Sequence, residues 1–193
     1  MLFSYYDVEE ALALRHCIPN DTRISLLSSI RHFERLNFPP RTSNCCHGRA
    51  NCRSRDYSPW QLLLLACAFE LIQIGITPEQ ALNWIIPNIQ AIKAGVGAEI
   101  EQQERDYPRP GDVLVMFQPE ILGVVQGLGH NKTHAKVKAG MTRTSELRSI
   151  GSAIIVAVAG LIDVCLAPAG RNAIREVEIR QCLKAWGSET TGC

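Results

Sequence analysis

Apolar residues recur at helical spacing along the first half of the chain and in strand-like runs along the second. Residues 7–15, DVEEALALR, set Val8, Ala11, Leu12 and Leu14 behind acids in the first turn, the pattern of a short amphipathic helix. Pro19 and Asn20 end it. Asp21 or Thr22 can then cap a second helix through ISLLSSIRHFERLN. In it Ile24, Leu27, Ile30, Phe33 and Leu36 repeat every three residues, with Arg23, Ser28, Arg31, His32 and Arg35 opposite them. Pro39 and Pro40 stop this helix, because proline disfavours helical geometry in the residue before it and has no N–H to donate. The next stretch, RTSNCCHGRANCRSRD at 41–56, is almost free of apolar residues and reads as a loop or hairpin that can turn at Gly48 and Asn51.

Ser58, Pro59, Trp60 and Gln61 have the form of a capping box with proline at the first helical position, so a third helix starts there, runs to Ile74 and closes at Gly75. Thr77, Pro78, Glu79 and Gln80 repeat the signal and open a fourth helix, with Leu62, Leu65, Phe69, Ile72 and Leu82 expected to bury together. Residues 5–86 thus read as four helices with a basic loop between the second and third. Residues 93–111, KAGVGAEIEQQERDYPRPG, are rich in charge, glycine and proline and read as a linker. Beyond it VLVMF is strand-like, PEILGVVQGL is a helix or a strand, and GHNKTHAKVKAGMTRTSEL is a polar, basic loop. SAIIVAVA is a β-branched strand and GLIDVCLA a helix. The terminal NAIREVEIRQCLKAW is a helix whose Ile174, Val177, Leu183 and Trp186 can dock on this second domain or on another protomer.

Composition adds little: 46% hydrophobic and 20% charged residues in a 193-residue chain suit a globular protein of one large or two small domains. The net charge of +1 conceals a local imbalance. From Arg15 to Arg55 there are eight arginines and no lysine, against two acids, Asp21 and Glu34. The start MLFSYYDVEE lacks a secretory pattern, so a cytoplasmic location is expected, with the eight cysteines mostly reduced. The apolar run 151–170 approaches the length of a membrane span, but Asp163 and Pro168 disfavour insertion and a buried strand followed by a buried helix accounts for it better.

SIRHFERLNFPPR at 29–41, RDYS at 55–58 and IGITPEQAL at 74–82 together resemble the winged helix-turn-helix domain of the mercury-resistance-regulator (MerR) family. In that family a T-I-R-x-[YF]-E-R-x-G-L-x-P-P motif precedes a wing ending R-x-Y, then a helix and a short G-[FIL]-[ST] turn. The likeness covers about the first 90 residues. It implies a mainly α fold: a winged helix-turn-helix of four helices plus a basic hairpin wing at 1–92, the linker at 93–111, and a small α/β domain at 112–193 for dimerisation or for binding a partner or effector. Three features depart from the family: Asn37 replaces its usual glycine, the wing is longer, and the long dimerisation helix is missing.

A helix can enter the major groove when its exposed face offers donors at helical spacing and its other face is held by packing. Arg31, His32 and Arg35 meet that condition, with Arg23 on the same predicted face. Arg41, Arg49, Arg53 and Arg55 are placed to reach phosphates or a narrowed minor groove. The resemblance adds Tyr57, which can brace the wing or donate to a phosphate. The expected function is sequence-specific binding of double-stranded DNA by a homodimeric transcriptional regulator. An excisionase-like architectural or recombination accessory protein, or an adaptor whose winged helix has lost DNA binding, are the alternatives. No GxSxG, P-loop or dinucleotide fingerprint is present, so neither an enzyme nor a cofactor is expected. Cys45, Cys46, His47 and Cys52 have metal-compatible side chains but not the usual spacing of paired zinc ligands, since adjacent cysteines cannot easily point at one ion. His130 and His134 read as loop residues, Cys67 and Cys165 as small core residues, and Trp60 and Trp84 as core.

Overall fold

The computed structural model describes residues 1–40, 56–104, 112–118, 134–141, 154–170 and 172–188. The fold is mainly helical. In chain order the elements are α1 (Tyr5–Arg15), α2 (Arg23–Arg35), α3 (Pro59–Gln73), α4 (Pro78–Ile85), α5 (Ile89–Gln103), β1 (Asp112–Gln118), β2 (His134–Met141), β3 (Ile154–Ala157), α6 (Val158–Leu166) and α7 (Ala173–Ser188). The chain forms two compact units, Met1–Ala66 with Asp163–Cys182 and Cys67–Ile162 with Leu183–Cys193. Each unit therefore combines two separate segments of the chain, whereas the composition shift suggested a division at residue 92.

In the first unit, α1 begins two residues before its expected start. The Ser4 hydroxyl accepts from the Asp7 amide at 3.2 Å while the Asp7 carboxylate accepts from the Ser4 amide at 2.8 Å, a capping box with aspartate in the reciprocal position. Its buried side is Val8, Ala11, Leu12 and Ala13, and Leu14, expected inside, is 60% exposed. Thr22 occupies the N-cap position of α2 without capping it, since its hydroxyl donates to the Pro19 carbonyl at 3.0 Å. After α2, Asn37 takes a left-handed φ of 57°, a conformation asparagine tolerates better than most residues. Phe38 folds back onto Phe33, with ring centroids 5.7 Å apart. Phe3 and Tyr57 exchange backbone hydrogen bonds of 2.7 and 2.8 Å, and both are fully buried. At the start of α3, Gln61 is the reciprocal member of the expected capping box. Its Oε1 accepts from the Ser58 amide at 2.8 Å, and its Nε2 donates to the Pro40 carbonyl at 2.9 Å, tying the double proline to this helix. The helix is buried on every side from Gln61 to Phe69, so no single apolar stripe defines it. Trp60 is half-buried.

In the second unit the α4 start is as read: the Thr77 hydroxyl accepts from the Gln80 amide, Pro78 stands in the first turn, and Gly75 before it has a φ of 90°. Trp84 is 3% exposed. The stretch expected to be a linker is different. Residues 93–103 are helical, as part of α5, which buries Ile92, Lys93, Gly95, Val96, Glu99 and Ile100. α7 crosses α5 closely at Gly97: a Cβ built on Gly187 would meet the Gly97 backbone nitrogen at 2.9 Å, whereas a Cβ built on Gly97 would meet its nearest atoms, those of the Gly187 backbone, at 3.6–3.9 Å. Lys93 lies over the Trp186 ring, 5.3 Å from its centroid, and the Glu99 carboxylate accepts from Gln103 at 2.8 Å and from the Val113 amide at 3.3 Å. The crossing thus requires glycine at 187 in α7, while Gly95 and Gly97 lie within the α5 helix rather than in a linker.

β1 is the central strand of an antiparallel sheet ordered β2-β1-β3. Two of its strands lie where VLVMF and SAIIVAVA predicted them. β2 was expected to be loop, yet its sequence HAKVKAGM alternates small or apolar residues with lysines, a period-two pattern that becomes a strand once β1 supplies its ladder partner. PEILGVVQGL lies outside the described residues. The apolar run at 151–170 contains β3 and α6, and no helix among the described residues is long and apolar enough to cross a membrane.

Candidate nucleic-acid interface

Which residues of α2 face outward follows from its buried side. Leu26, Ile30 and Phe33, at spacings of four and three, are 3%, 0% and 0% exposed. With 3.6 residues per turn they span an arc of about 60°. Ile24, Ser28, Arg31 and Arg35 are all exposed, and the same geometry puts them in an arc of about 60° on the opposite side. Of the expected core series Ile24, Leu27, Ile30, Phe33 and Leu36, Ile30 and Phe33 are buried, Leu27 and Leu36 are half-buried and Ile24 is exposed. A strict three-residue repeat retreats by about 60° at every step, so it winds around the helix instead of following one face. Ile24, its first member, is 78% exposed.

Arg31 and Arg35 therefore stand one turn apart on the outward stripe, with His32 half-buried at its flank. Neither arginine makes an ion pair among the described residues. Tyr5, from the start of α1, lies beside this stripe: its hydroxyl donates to the Leu27 carbonyl at 3.4 Å. Burial, and to a lesser degree the Glu34 carboxylate, push the Tyr5 hydroxyl pKa up, and the Arg31 guanidinium opposes them. Sequence reasoning missed Tyr5. The signal available was the S-Y-Y-D capping box, which starts α1 early enough to bring that ring to α2.

Two residues leave the expected DNA-contact set. Arg23 lies off the stripe, and its Nη1 is 2.6 Å from the Glu10 carboxylate and 3.9 Å from that of Glu9. The hydrogen bond to Glu10 raises the guanidinium pKa further and commits this cation to α1. Tyr57 is fully buried, with its hydroxyl donating to Glu34 Oε1 at 2.5 Å, so it has no surface to offer a phosphate and instead braces α2 against the start of α3. That bond also occupies the one carboxylate in the second half of α2. Arg41, Arg49, Arg53 and Arg55, and the candidate ligands Cys45, Cys46, His47 and Cys52, lie outside the described residues.

No protein-family model, curated protein or solved structure matches the chain. Among the described residues no group of three His, Cys, Asp or Glu side chains is placed to hold a metal ion. Cys67 and Cys165 are buried, as expected of small core residues, and Cys165 donates to the Pro59 carbonyl at 3.2 Å.

Proposed function

We propose that this protein is a sequence-specific, double-stranded-DNA-binding transcriptional regulator of the winged helix-turn-helix, MerR-like kind. In this reading α2 enters the major groove and the arginine-rich stretch 41–55 lies on the backbone or in the minor groove. The observation that carries it is the outward stripe of α2, where Arg31 and Arg35 are presented one turn apart on a helix anchored by Leu26, Ile30 and Phe33. Arginine offers a planar fork of donors that matches guanine edges and phosphates alike, and a helix held from behind can keep that fork at a fixed depth in the groove. A single helix reads few base pairs, so two protomers on half-sites a helical turn apart supply the remaining specificity.

The test is selection from a random duplex pool by the full chain, repeated for Arg31→Ala with Arg35→Ala and for Arg49→Ala, Arg53→Ala and Arg55→Ala together. The helix variant is expected to lose the enriched motif, at about 1–3 kcal/mol for each base contact removed. The triple variant is expected to weaken binding to all sequences and to flatten its salt dependence. If the wild-type chain enriches no motif and shows no salt-dependent binding, the proposal is wrong and an adaptor role replaces it.

A further inference from the structure

The outward stripe of α2 is not purely cationic. Its amino-terminal member is Ile24, 78% exposed, followed by Ser28, then Arg31 and Arg35. Along the axis these four residues cover about 16 Å, near the rise of five base pairs. In helices that enter the major groove, it is the amino-terminal residues that meet base edges. The apolar group that base edges present in that groove is the thymine 5-methyl. An isoleucine is unable to hydrogen-bond with phosphate, water or a base, so its one favourable contact in the groove is with that methyl.

We infer that Ile24 is a specificity-determining residue that selects thymine through its 5-methyl group, while Arg31 and Arg35 supply the polar contacts further along the helix. This rests on the DNA-binding reading above and names the chemistry that the site prefers. Three observations support duplex DNA as the occupant of this face. The stripe carries two cations and no acid; the nearby Glu34 carboxylate accepts a hydrogen bond from the buried Tyr57; and Arg23, the cation closest to Ile24 in sequence, is held by Glu10 away from the stripe. Contacts at the Ile24 end of the helix are thus left to an apolar side chain and to serine.

The experiment is a double-substitution cycle across the interface, using the full chain and a duplex carrying the enriched motif. Each thymine is replaced in turn by deoxyuridine, which removes the methyl and keeps every hydrogen-bonding group. Affinities are measured for the wild type and for Ile24→Ala. Because one methyl group is lost, wild-type affinity is expected to fall about fourfold at one thymine. Ile24→Ala is expected to fall at least that far on the thymine duplex and to show no further loss on the uracil duplex. Melting followed by circular dichroism should be unchanged in Ile24→Ala, since the side chain is exposed.

A wild-type protein indifferent to every thymine replacement, with Arg31 and Arg35 still needed for the motif, would overturn this inference and leave DNA binding intact. An Ile24→Ala variant that falls below the wild type by the same factor on thymine and uracil duplexes would overturn it as well. If Ile24→Asp converts a dimer to a monomer in sedimentation while thymine and uracil duplexes bind alike, the residue belongs to an interface between copies and the inference fails. Absence of any salt-dependent DNA binding by the wild type would bring down the functional reading and this inference together.

Discussion

The crossing of α5 and α7 in the second unit makes two glycine substitutions of the same kind differ in sign. At Gly187 an added Cβ would stand 2.9 Å from the Gly97 nitrogen, 3.0 Å from its Cα and 3.2 Å from the Lys93 carbonyl oxygen. All three are backbone atoms, which no side-chain rotation can clear, so the helices must separate. Overpacking of this kind costs about 1–3 kcal/mol, and the helix-propensity gain of up to about 1 kcal/mol is reduced next to the end of the helix. Gly187→Ala should therefore lose about 1–2 kcal/mol. At Gly97 the added methyl meets its nearest atoms at 3.6–3.9 Å, ordinary contact distances, in the interior of α5. Gly97→Ala should gain about 0.5–1 kcal/mol from propensity. Urea unfolding of the full chain resolves the pair. With a slope of about 2 kcal/mol per molar, the midpoints should move apart by about 1 M, Gly187→Ala below the wild type and Gly97→Ala above it. If Gly187→Ala is as stable as the wild type, the backbones do not approach as described and the explanation for glycine at position 187 is wrong.

Other expectations follow from burial. Leu26→Ala should cost about 2–5 kcal/mol, whereas Ile24→Ala should stay within about 0.5 kcal/mol; equal losses in thermal or urea unfolding would restore the three-residue core series. Tyr57→Phe removes a hydrogen bond to a carboxylate and should cost about 1.5–3 kcal/mol, measured the same way, and a neutral result would mean that the Tyr57–Glu34 contact does not brace the fold. Iodoacetamide with peptide mapping should label exposed Cys17 in the native protein and reach Cys67 and Cys165 only after denaturation. Burial pushes the Cys67 thiol from 9.0 up to about 12 and the Cys165 thiol up as well. The unfolded chain therefore ionises first: the contribution of these thiols to stability is complete below pH 9.0 and declines as the pH rises towards 12. In a Cys67→Ala variant, the alkaline loss of stability should be smaller than in the wild type.

Local signals were sufficient for much of the helical layout. The Ser58 and Thr77 capping boxes, the prolines one residue inside them, Gly75 at the end of its helix and Asn37 after α2 act through hydrogen bonds and steric limits that span only a few residues. They are legible without knowledge of the rest of the chain. The basic window and the arginines of α2 were legible for the same reason, because residue type and spacing are properties of the chain itself. Sidedness was not. In α2 and in α7, apolar residues occupy more than one face: the expected series included the buried Ile30, Phe33, Leu183 and Trp186, but took exposed Ile24, Ile174 and Val177 in place of the buried Leu26 and Ile179. Ile174 and Val177 are 75% and 52% exposed. Which arc is buried depends on what packs against it, and those partners come from elements distant in sequence. The same holds for Arg23, which Glu10 on α1 holds away from the outward stripe, and for Tyr57, which Phe3 and Glu34 enclose. It holds too for β2, which needs the ladder of β1, and for Gly97, whose helix is tolerated because Gly187 leaves room for the crossing. Caps and breaks are interactions of near neighbours in the chain; burial, pairing and the exposed face of α2 are interactions of near neighbours in space, and the tertiary structure alone decided those.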